Sequence, residues 1–134
     1  MSLDESNANP AYLLGRLFAV LENIQRIALG DKVNATITDK YYASASTVPY
    51  SVYPRLLAGS KHHLSRIRKD KPGLSYLIDK ELGEIMTMLP TEFPRHFSIE
   101  NQGRFSIGYY HQKNSRFAPS ESVEFNELIT EGNE

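Results

Sequence analysis

Basic side chains that recur at helical spacing between positions 55 and 69 are the residues with the clearest chemistry. On a helical wheel of about 100° per residue, they gather into one narrow stripe with two flanking positions. The stripe comprises Arg55, His62, Arg66 and Lys69, and the flanking residues are Lys61 and Arg68. The stripe spans 14 positions, about 21 Å at about 1.5 Å per residue in a helix. That length is sufficient to follow several phosphates of a nucleic-acid backbone.

An anionic partner explains this stripe better than helix stability does, because stacked like charges weaken an isolated helix. Lys71 continues the basic series into the turn that follows. A basic face that is merely solvated is the competing interpretation, because such faces are common. Both interpretations stay open, and the six residues above together with Lys71 are candidate nucleic-acid contacts.

The four histidines are the second candidate group, because imidazole is a frequent metal ligand. His62 and His63 are adjacent and diverge on a helix, and His96 and His111 are distant from them in the sequence. No HExxH pattern or carboxylate at ligand spacing accompanies them. The sequence also lacks a nucleophile elbow, a P-loop and a paired-carboxylate motif. We therefore expect a binding protein rather than an enzyme, with no metal and no other cofactor.

A third group combines basic, glycine and aromatic residues in the segment GRFSIGYYHQK, residues 103 to 113. Arg104, Gly108 and His111 share one helical face. Such a face can hold a nucleic-acid backbone, and nearby tyrosines can stack on unpaired bases. The same residues can pack two helices closely, and packing is favoured for the tyrosines because buried aromatic rings are common in cores. Arg104 and His111 are further candidate contacts.

The segment NPAYLLGRLFAVLE, residues 9 to 22, predicts a helix whose two faces need different partners. One face is a broad apolar arc that can supply a core, and the other combines Gly15 and Ala19 with Arg16. The small residues permit close approach to the backbone, so a second helix could pack there. A phosphate backbone held by Arg16 and Arg26 is the alternative. Arg16 is therefore also a candidate nucleic-acid contact.

Caps and prolines delimit the elements that must position these residues. The first helix starts near residue 10, since Asn9 is a good N-cap and Pro10 suits the first helical position, and it ends at Gly30. Pro49 and Pro54 bracket a later start, where Pro54 is acceptable only within the first turn. A second helix is predicted at about 35 to 46, where a strand is also tolerated. The third runs from the start marked by the two prolines to about residue 69, and the last two are predicted at about 74 to 89 and 98 to 113. The sequence thus predicts an all-α fold, a single compact antiparallel bundle of four to five helices over residues 9 to 114.

The charge of the chain is strongly partitioned. Residues 8 to 119 carry all 15 lysines and arginines but only 9 of the 16 acidic residues, a net charge of +6 in a chain whose overall charge is −1. Residues 1 to 8 and 115 to 134 are expected to be a flexible N-terminus and an acidic, disordered tail. The basic body predicts a polyanionic partner. The absence of cysteine and of any apolar run near the ~20 residues of a membrane span predicts a cytoplasmic protein without membrane contact.

Four motifs, in this order, resemble the C-terminal region of the large subunit of the type I-C CRISPR effector complex, Cascade. They are NPAYLLGRLFAVLE, NATITDKYYASAS, YPRLL followed by HHL, and QGRFSIGYYHQK, and the resemblance covers about residues 8 to 114. In that family this segment is also made separately by internal translation and serves as the small subunit. The resemblance implies a helical bundle that lines the complex and helps to hold the unwound DNA, and that is not a nuclease.

The resemblance also implies the partners. They are the backbone subunits and the large subunit of the effector complex, other copies of the chain, the guide RNA, and the target DNA as single strand or heteroduplex. The positions matched to the family motifs are Arg16, Arg55, His62, Arg104 and His111, whereas Lys61, Arg66, Arg68, Lys69 and Lys71 come from the charge pattern. Sequence-specific DNA recognition is not expected, because base pairing with the guide reads the sequence in such complexes. The alternative is a purely architectural subunit that bridges neighbouring proteins without touching nucleic acid.

Overall fold

Five α-helices make up the described part of the chain, residues 3 to 30 and 36 to 115 of a computed structural model. They are α1 (Pro10–Leu29), α2 (Ile37–Thr47), α3 (Pro49–Asp70), α4 (Pro72–Met88) and α5 (Ile99–Ser115). The described residues contain no strand, which confirms the predicted all-α fold class. The connection predicted after Gly30, at residues 31 to 33, lies outside the described residues. So does the acidic tail predicted at residues 115 to 134, apart from Ser115, which is the last residue of α5.

The ends of α1 follow the capping signals of the sequence. The Asn9 side chain accepts hydrogen bonds from the backbone N–H groups of Ala11 and Tyr12, and Pro10 occupies the first turn. At the other end, Gly30 adopts φ of 80°, a left-handed conformation that glycine reaches without a steric penalty. The predicted bounds of α1 are confirmed.

A capping box settles the ambiguous second segment as a helix. The Thr36 hydroxyl accepts a hydrogen bond from the Asp39 N–H at 3.1 Å, and an Asp39 carboxylate oxygen accepts one from the Thr36 N–H at 3.4 Å. These reciprocal bonds satisfy two backbone donors that a helix start otherwise leaves unpaired. Aspartate here takes the position usually held by glutamate or glutamine, so the pattern is easily missed in the sequence.

The start of α3 differs from the prediction for Pro54. The helix begins at Pro49, so Pro54 lies inside it, beyond the first turn. Pro54 lacks an N–H for the carbonyl of Tyr50, but both residues are exposed and water can reach that carbonyl. The Tyr50 N–H donates to the Pro94 carbonyl at 2.9 Å, so a contact with the loop before α5 helps to hold the extra turn in place. Such a tertiary contact is not visible in the local sequence.

Helix α1 is the central element of the fold. It contacts each of the other four helices, and every residue from 11 to 21 is buried. Its apolar arc forms the core with α2, α3 and α4, as its hydrophobic pattern predicts. Its most extensive contact is with α5, which covers the face that carries Gly15 and Ala19.

The contact between α1 and α5 is so close that the two backbones touch. A Cβ atom added to Gly15 would lie 2.0 Å from the Phe105 carbonyl oxygen, and one added to Gly108 would lie 2.1 Å from the Tyr12 carbonyl oxygen. Any side chain at either glycine would therefore force the helices apart. The face of α1 that carries Gly15 packs on a helix, as the first of its two interpretations predicts.

An aromatic cluster extends this contact into the core. The Phe18 ring lies 6.1 Å from the Phe105 ring and 5.9 Å from the Tyr109 ring, and Tyr42 of α2 lies 5.5 Å from Phe18, in the edge-on or tilted arrangements that aromatic pairs favour. The Tyr109 hydroxyl donates to a Glu22 carboxylate oxygen at 2.6 Å. Burial, and secondarily the Glu22 carboxylate, raises the pKa of Tyr109 well above its ordinary value, so this donor keeps its proton.

The described part of the N-terminus contacts the first turn of α1. The Asp4 N–H donates to the Tyr12 hydroxyl at 2.9 Å, and the Asp4 carboxylate accepts from the backbone and hydroxyl of Ser6. These hydrogen bonds lie in the segment for which the sequence predicts a flexible terminus. They attach residues 4 to 6 to the first turn of α1.

Replacement of either contact glycine by alanine is expected to destabilise the fold. Because each added methyl would meet a backbone carbonyl, we expect Gly15→Ala and Gly108→Ala each to lower the free energy of unfolding by about 3 kcal/mol or more, at or above the upper end of the overpacking range. Gly103→Ala on α5 is the matched control, since a Cβ there meets no described atom within 4 Å, and it should raise the free energy by up to about 1 kcal/mol. Urea denaturation followed by circular dichroism measures all three. Similar values for the three variants would contradict the close backbone contact.

Candidate nucleic-acid interface

Helix α3 presents most of the predicted basic residues to solvent. Its inner side is buried through Tyr53, Leu56, Leu64 and Ile67, which pack in the core. The opposite side carries five exposed basic residues, which we call the α3 basic face: Arg55, Lys61, His62, Arg66 and Lys69. The structure therefore brings these five predicted residues together on one helix surface.

The helix that carries the α3 basic face has a single acidic residue, which lies at its end, four positions after Arg66. No aspartate or glutamate occurs between positions 49 and 69, and Asp70 is the last residue of α3. The nearest described ion pair joins Arg68 to Asp79 of α4 at 3.5 Å, between side chains that are 63% and 45% exposed. A pair this exposed contributes at most about 1 kcal/mol. Arg68 can therefore exchange Asp79 for another anion at little cost.

Lys71 lies at the junction between α3 and α4. Its side chain is exposed and its N–H donates to the Ile67 carbonyl at 2.6 Å, which closes the last turn of α3. The C-terminal end of a helix carries a partial negative charge of about half a unit, which disfavours an anion nearby. Arg68, Lys69 and Lys71 place three cations at this end of the helix, beside the carboxylates of Asp70 and of Asp79, the partner of Arg68.

The two adjacent histidines have different environments. His62 is exposed, whereas His63 is half-buried on the side of α3 that turns towards the core, and their ring centroids are 6.0 Å apart. Burial lowers the pKa of His63, and the neighbouring charges of His62 and Arg66 lower it further. His63 is therefore neutral at neutral pH and adds a hydrogen-bonding group rather than a charge.

The position of Arg16 does not fit its predicted role as a nucleic-acid contact. Its side chain is only 3% exposed, and its Nε donates to the Gln112 side-chain oxygen at 2.9 Å. The Gln112 amide nitrogen in turn donates to a Glu81 carboxylate oxygen at 2.8 Å. This hydrogen-bonded network links α1, α5 and α4 inside the protein. Arg16 is buried because α5 covers the face of α1 on which it lies, so in this chain its role is structural.

The predicted contacts on α5 are separate from the α3 basic face. Arg104 is exposed and donates to the Asn101 side-chain oxygen at 2.8 Å. His111 is half-buried, and a hydrogen bond of 2.9 Å joins its Nδ1 to the Tyr12 hydroxyl, which also accepts from the Asp4 N–H. Helix α5 packs chiefly on α1. The structure therefore does not join these two residues to the basic residues of α3.

An apolar strip on the outer side of α5 is a surface whose exposure the sequence does not reveal. Ile99, Ile107 and Tyr110 are 85%, 48% and 55% exposed. Their spacing places them on one side of the helix, with the exposed Gly103 between them. The same spacing is visible in the sequence, but only the packing of the opposite side of α5 on α1 shows that this strip remains uncovered.

The model of a family described as CRISPR-associated protein (Cas_Csd1) matches residues 1 to 117. None of the curated proteins compared with the chain matches it. Among the described residues, no helix is long and apolar enough to cross a membrane.

The structural role of Arg16 can be tested against an exposed arginine. Arg16→Met keeps the length of the side chain but leaves the buried oxygen of Gln112 without its donor, so we expect the free energy of unfolding to fall by about 1–3 kcal/mol. Arg55→Met, at an exposed position, should change it by no more than about 0.5 kcal/mol. Urea unfolding measures both variants. An Arg16→Met protein as stable as the wild type would show that the buried network contributes nothing.

Proposed function

The chain belongs to the Cas_Csd1 family of CRISPR-associated proteins, the family of type I-C Cascade subunits, and from this premise we propose that it acts as the non-catalytic small subunit of the complex. In this role it contacts the phosphate backbone of the target DNA and stabilises the strands separated by the guide RNA. The α3 basic face is the single observation that carries the proposal.

Charge and exposure make the α3 basic face suited to a phosphate backbone. Its arginines and lysines are exposed, lie along one side of a helix, and share that helix with one acidic residue, Asp70 at its end. Contacts to phosphates fix the position of a nucleic acid but carry no sequence information. This agrees with a complex in which base pairing with the guide reads the sequence and protein holds the backbone.

The expected binding is weak in isolation and sensitive to salt. If Arg55, Lys61, Arg66 and Lys69 each neutralise one phosphate of a single strand, the slope of log K against log salt is about −2.8. Between 50 and 200 mM salt the affinity then falls by about 50-fold. A surface of this kind becomes effective when the complex holds it beside the strand, because tethering raises the local concentration of the binding partner.

The proposal includes protein partners that would provide this tethering. They are the large subunit, the backbone subunits and other copies of the chain, and the guide RNA lies within the same assembly. The rigid seating of α3 supports the proposal, because a fixed helix presents its charges in one geometry. Tyr53 on its inner side donates to the Leu14 carbonyl of α1 and stacks on Phe93 at 5.5 Å between ring centroids.

A purely architectural role is the second candidate, and the apolar strip of α5 favours it. Ile99, Ile107 and Tyr110 form a contiguous exposed surface of the kind that marks protein contacts. In this alternative the strip binds a neighbouring protein of the complex, and the α3 basic face meets acidic protein surfaces. The two candidates differ in whether nucleic acid touches α3.

Charge reversal on α3 tests the proposed function. We expect Arg66→Glu with Lys69→Glu to weaken binding of a fluorescein-labelled single strand at least 10-fold at 100 mM salt, and to reduce the steepness of the salt dependence by about 1.4, because two phosphate contacts are lost. Fluorescence anisotropy of the isolated chain and of the assembled complex gives both quantities.

The matched control changes the net charge equally at exposed residues outside α3. Lys40→Glu with Lys80→Glu lies on α2 and α4, and it should weaken binding much less and leave the salt slope unchanged. Equal effects of the two double variants would show that binding depends on the net charge of the chain and not on the α3 basic face. Unchanged binding of the α3 variant, alone and in the complex, would contradict the assignment of α3 as a nucleic-acid contact.

Polar substitution of the α5 strip tests the protein-contact surface. We expect Ile99→Asp with Ile107→Asp to lower the fraction of chain that co-purifies with the large subunit at least 10-fold, because two exposed apolar anchors are lost at a protein contact. Single-strand binding by the isolated chain should stay unchanged. Tyr76→Asp, at a 69% exposed position on α4, is the control. Full incorporation of the double variant would show that the strip binds no partner.

A further inference from the structure

A pocket of about 200 Å³ opens between α1, α2 and α3, next to the α3 basic face. Its apolar part is formed by Leu21 and Leu56, and Tyr41 of α2 contributes a half-buried ring to the lining. Arg55 and His63 lie among the lining residues from α3. Arg55 thus belongs both to the pocket and to the surface proposed to hold phosphates.

Gly59 forms part of the pocket wall, and helix packing does not require a glycine at this position. It lies in the interior of α3, where glycine costs about 1 kcal/mol relative to alanine. A Cβ at Gly59 would meet no described atom within 4 Å, unlike Gly15 and Gly108, where it would meet backbone. Close helix packing therefore explains Gly15 and Gly108, but not Gly59, Gly83 or Gly103, whose Cβ positions are open. Of these three, Gly59 lines this pocket, where a larger side chain would occupy part of the space.

The size of the pocket suits one aromatic ring system. An apolar cavity of about 150 Å³ is large enough to bind benzene, so a space of about 200 Å³ accommodates a single flat base but not a folded peptide segment. Apolar walls with one aromatic ring match the faces of a base, and the positive charge of Arg55 at the same site matches its phosphate. These features together indicate a nucleotide of a single strand.

The polar groups of the pocket allow binding without sequence preference. The Gln25 side-chain oxygen accepts a hydrogen bond from the Ile37 N–H at 2.9 Å, which leaves the NH₂ of the same amide as a donor in the lining. His63 is neutral and offers one donor and one acceptor. Few and adaptable partners of this kind can meet the edge of any base, while the ring faces supply most of the contact.

We propose that this pocket receives one unpaired base of the strand whose phosphates lie along the α3 basic face. The proposal rests on the proposed function for the presence of that strand, and it adds a stacking site to a surface otherwise described by charge alone. Each base has two flat faces, so the site tolerates every sequence. Binding of the base would also fix the register of the phosphates relative to Arg55.

Filling the pocket from Gly59 separates base binding from phosphate binding. We compare two 12-nucleotide single strands of the same length and charge, oligothymidylate and a strand of abasic tetrahydrofuran residues, by anisotropy with the wild-type chain and with the assembled complex. Loss of one stacked base should weaken binding of the abasic strand about 10-fold, within the range measured for base–aromatic stacking. Gly59→Leu should abolish this difference and leave abasic-strand affinity and its salt dependence unchanged.

Gly83→Leu on α4 is the matched control, because Gly83 is also an exposed helical glycine whose Cβ would meet no described atom within 4 Å, and it lies outside both the α3 basic face and the α5 strip. It should retain the preference for the base-bearing strand. Both leucine variants should melt at or above the wild-type temperature, since leucine is a better helix former than glycine.

Two negative results have different meanings. Equal wild-type affinities for the base-bearing and abasic strands, or a preference that persists in Gly59→Leu, would overturn the pocket proposal while the phosphate contacts of α3 stand. Failure of the wild-type chain and of the complex to bind either strand in a way that depends on α3 would overturn the proposed function together with this inference.

Discussion

The backbone contact between α1 and α5 determines the rest of the structure. Gly15 meets the Phe105 carbonyl and Gly108 meets the Tyr12 carbonyl, so neither helix can rotate without placing a larger residue in the contact. With α5 fixed there, α1 is covered on the one side that α2, α3 and α4 leave free, and it becomes the buried axis of the fold. The remaining helices pack around α1.

This constraint also divides the basic residues into two classes. Arg16 lies next to the glycine contact, so α5 covers it. Its guanidinium donates to Gln112, which in turn donates to Glu81, so the arginine takes part in a hydrogen-bonded network inside the protein. The basic residues of α3 lie on the opposite side from their packing contacts and keep their charges in solvent. In the proposed function these exposed charges hold a nucleic-acid backbone, and the proposed pocket beside Arg55 adds a contact to one base.

Local signals in the sequence predicted the helices well and their surroundings less well. Asn9, Pro10 and Gly30 fixed α1, because capping depends on a few adjacent residues. The place of Pro54 inside α3 was predicted wrongly, since a contact from Tyr50 to Pro94 extends the helix beyond what local rules allow. For the site, residue spacing alone was sufficient to predict that the exposed cations of α3 lie on one side of the helix.

Residue spacing was not sufficient to predict the exposure of a side chain where a second helix packs over it. Arg16 and Arg55 are both arginines on amphipathic helices, and only the position of α5 makes one internal and the other exposed. Gly15 and Gly59 are likewise both helical glycines, but backbone lies against the first and a pocket beside the second. Such differences arise from how distant segments dock, which one helix cannot reveal by itself.

The central claim is that the outer side of α3 faces nucleic acid in the assembled complex. Site-specific photocrosslinking tests it most directly, with a benzophenone amino acid in place of exposed His62 and, for comparison, in place of exposed Ile107 on α5. The account predicts that position 62 crosslinks to target DNA in a complex loaded with guide and target, while position 107 crosslinks to protein. Crosslinks from position 62 to protein alone, in a complex that has formed its heteroduplex, would contradict the account and favour a purely architectural subunit.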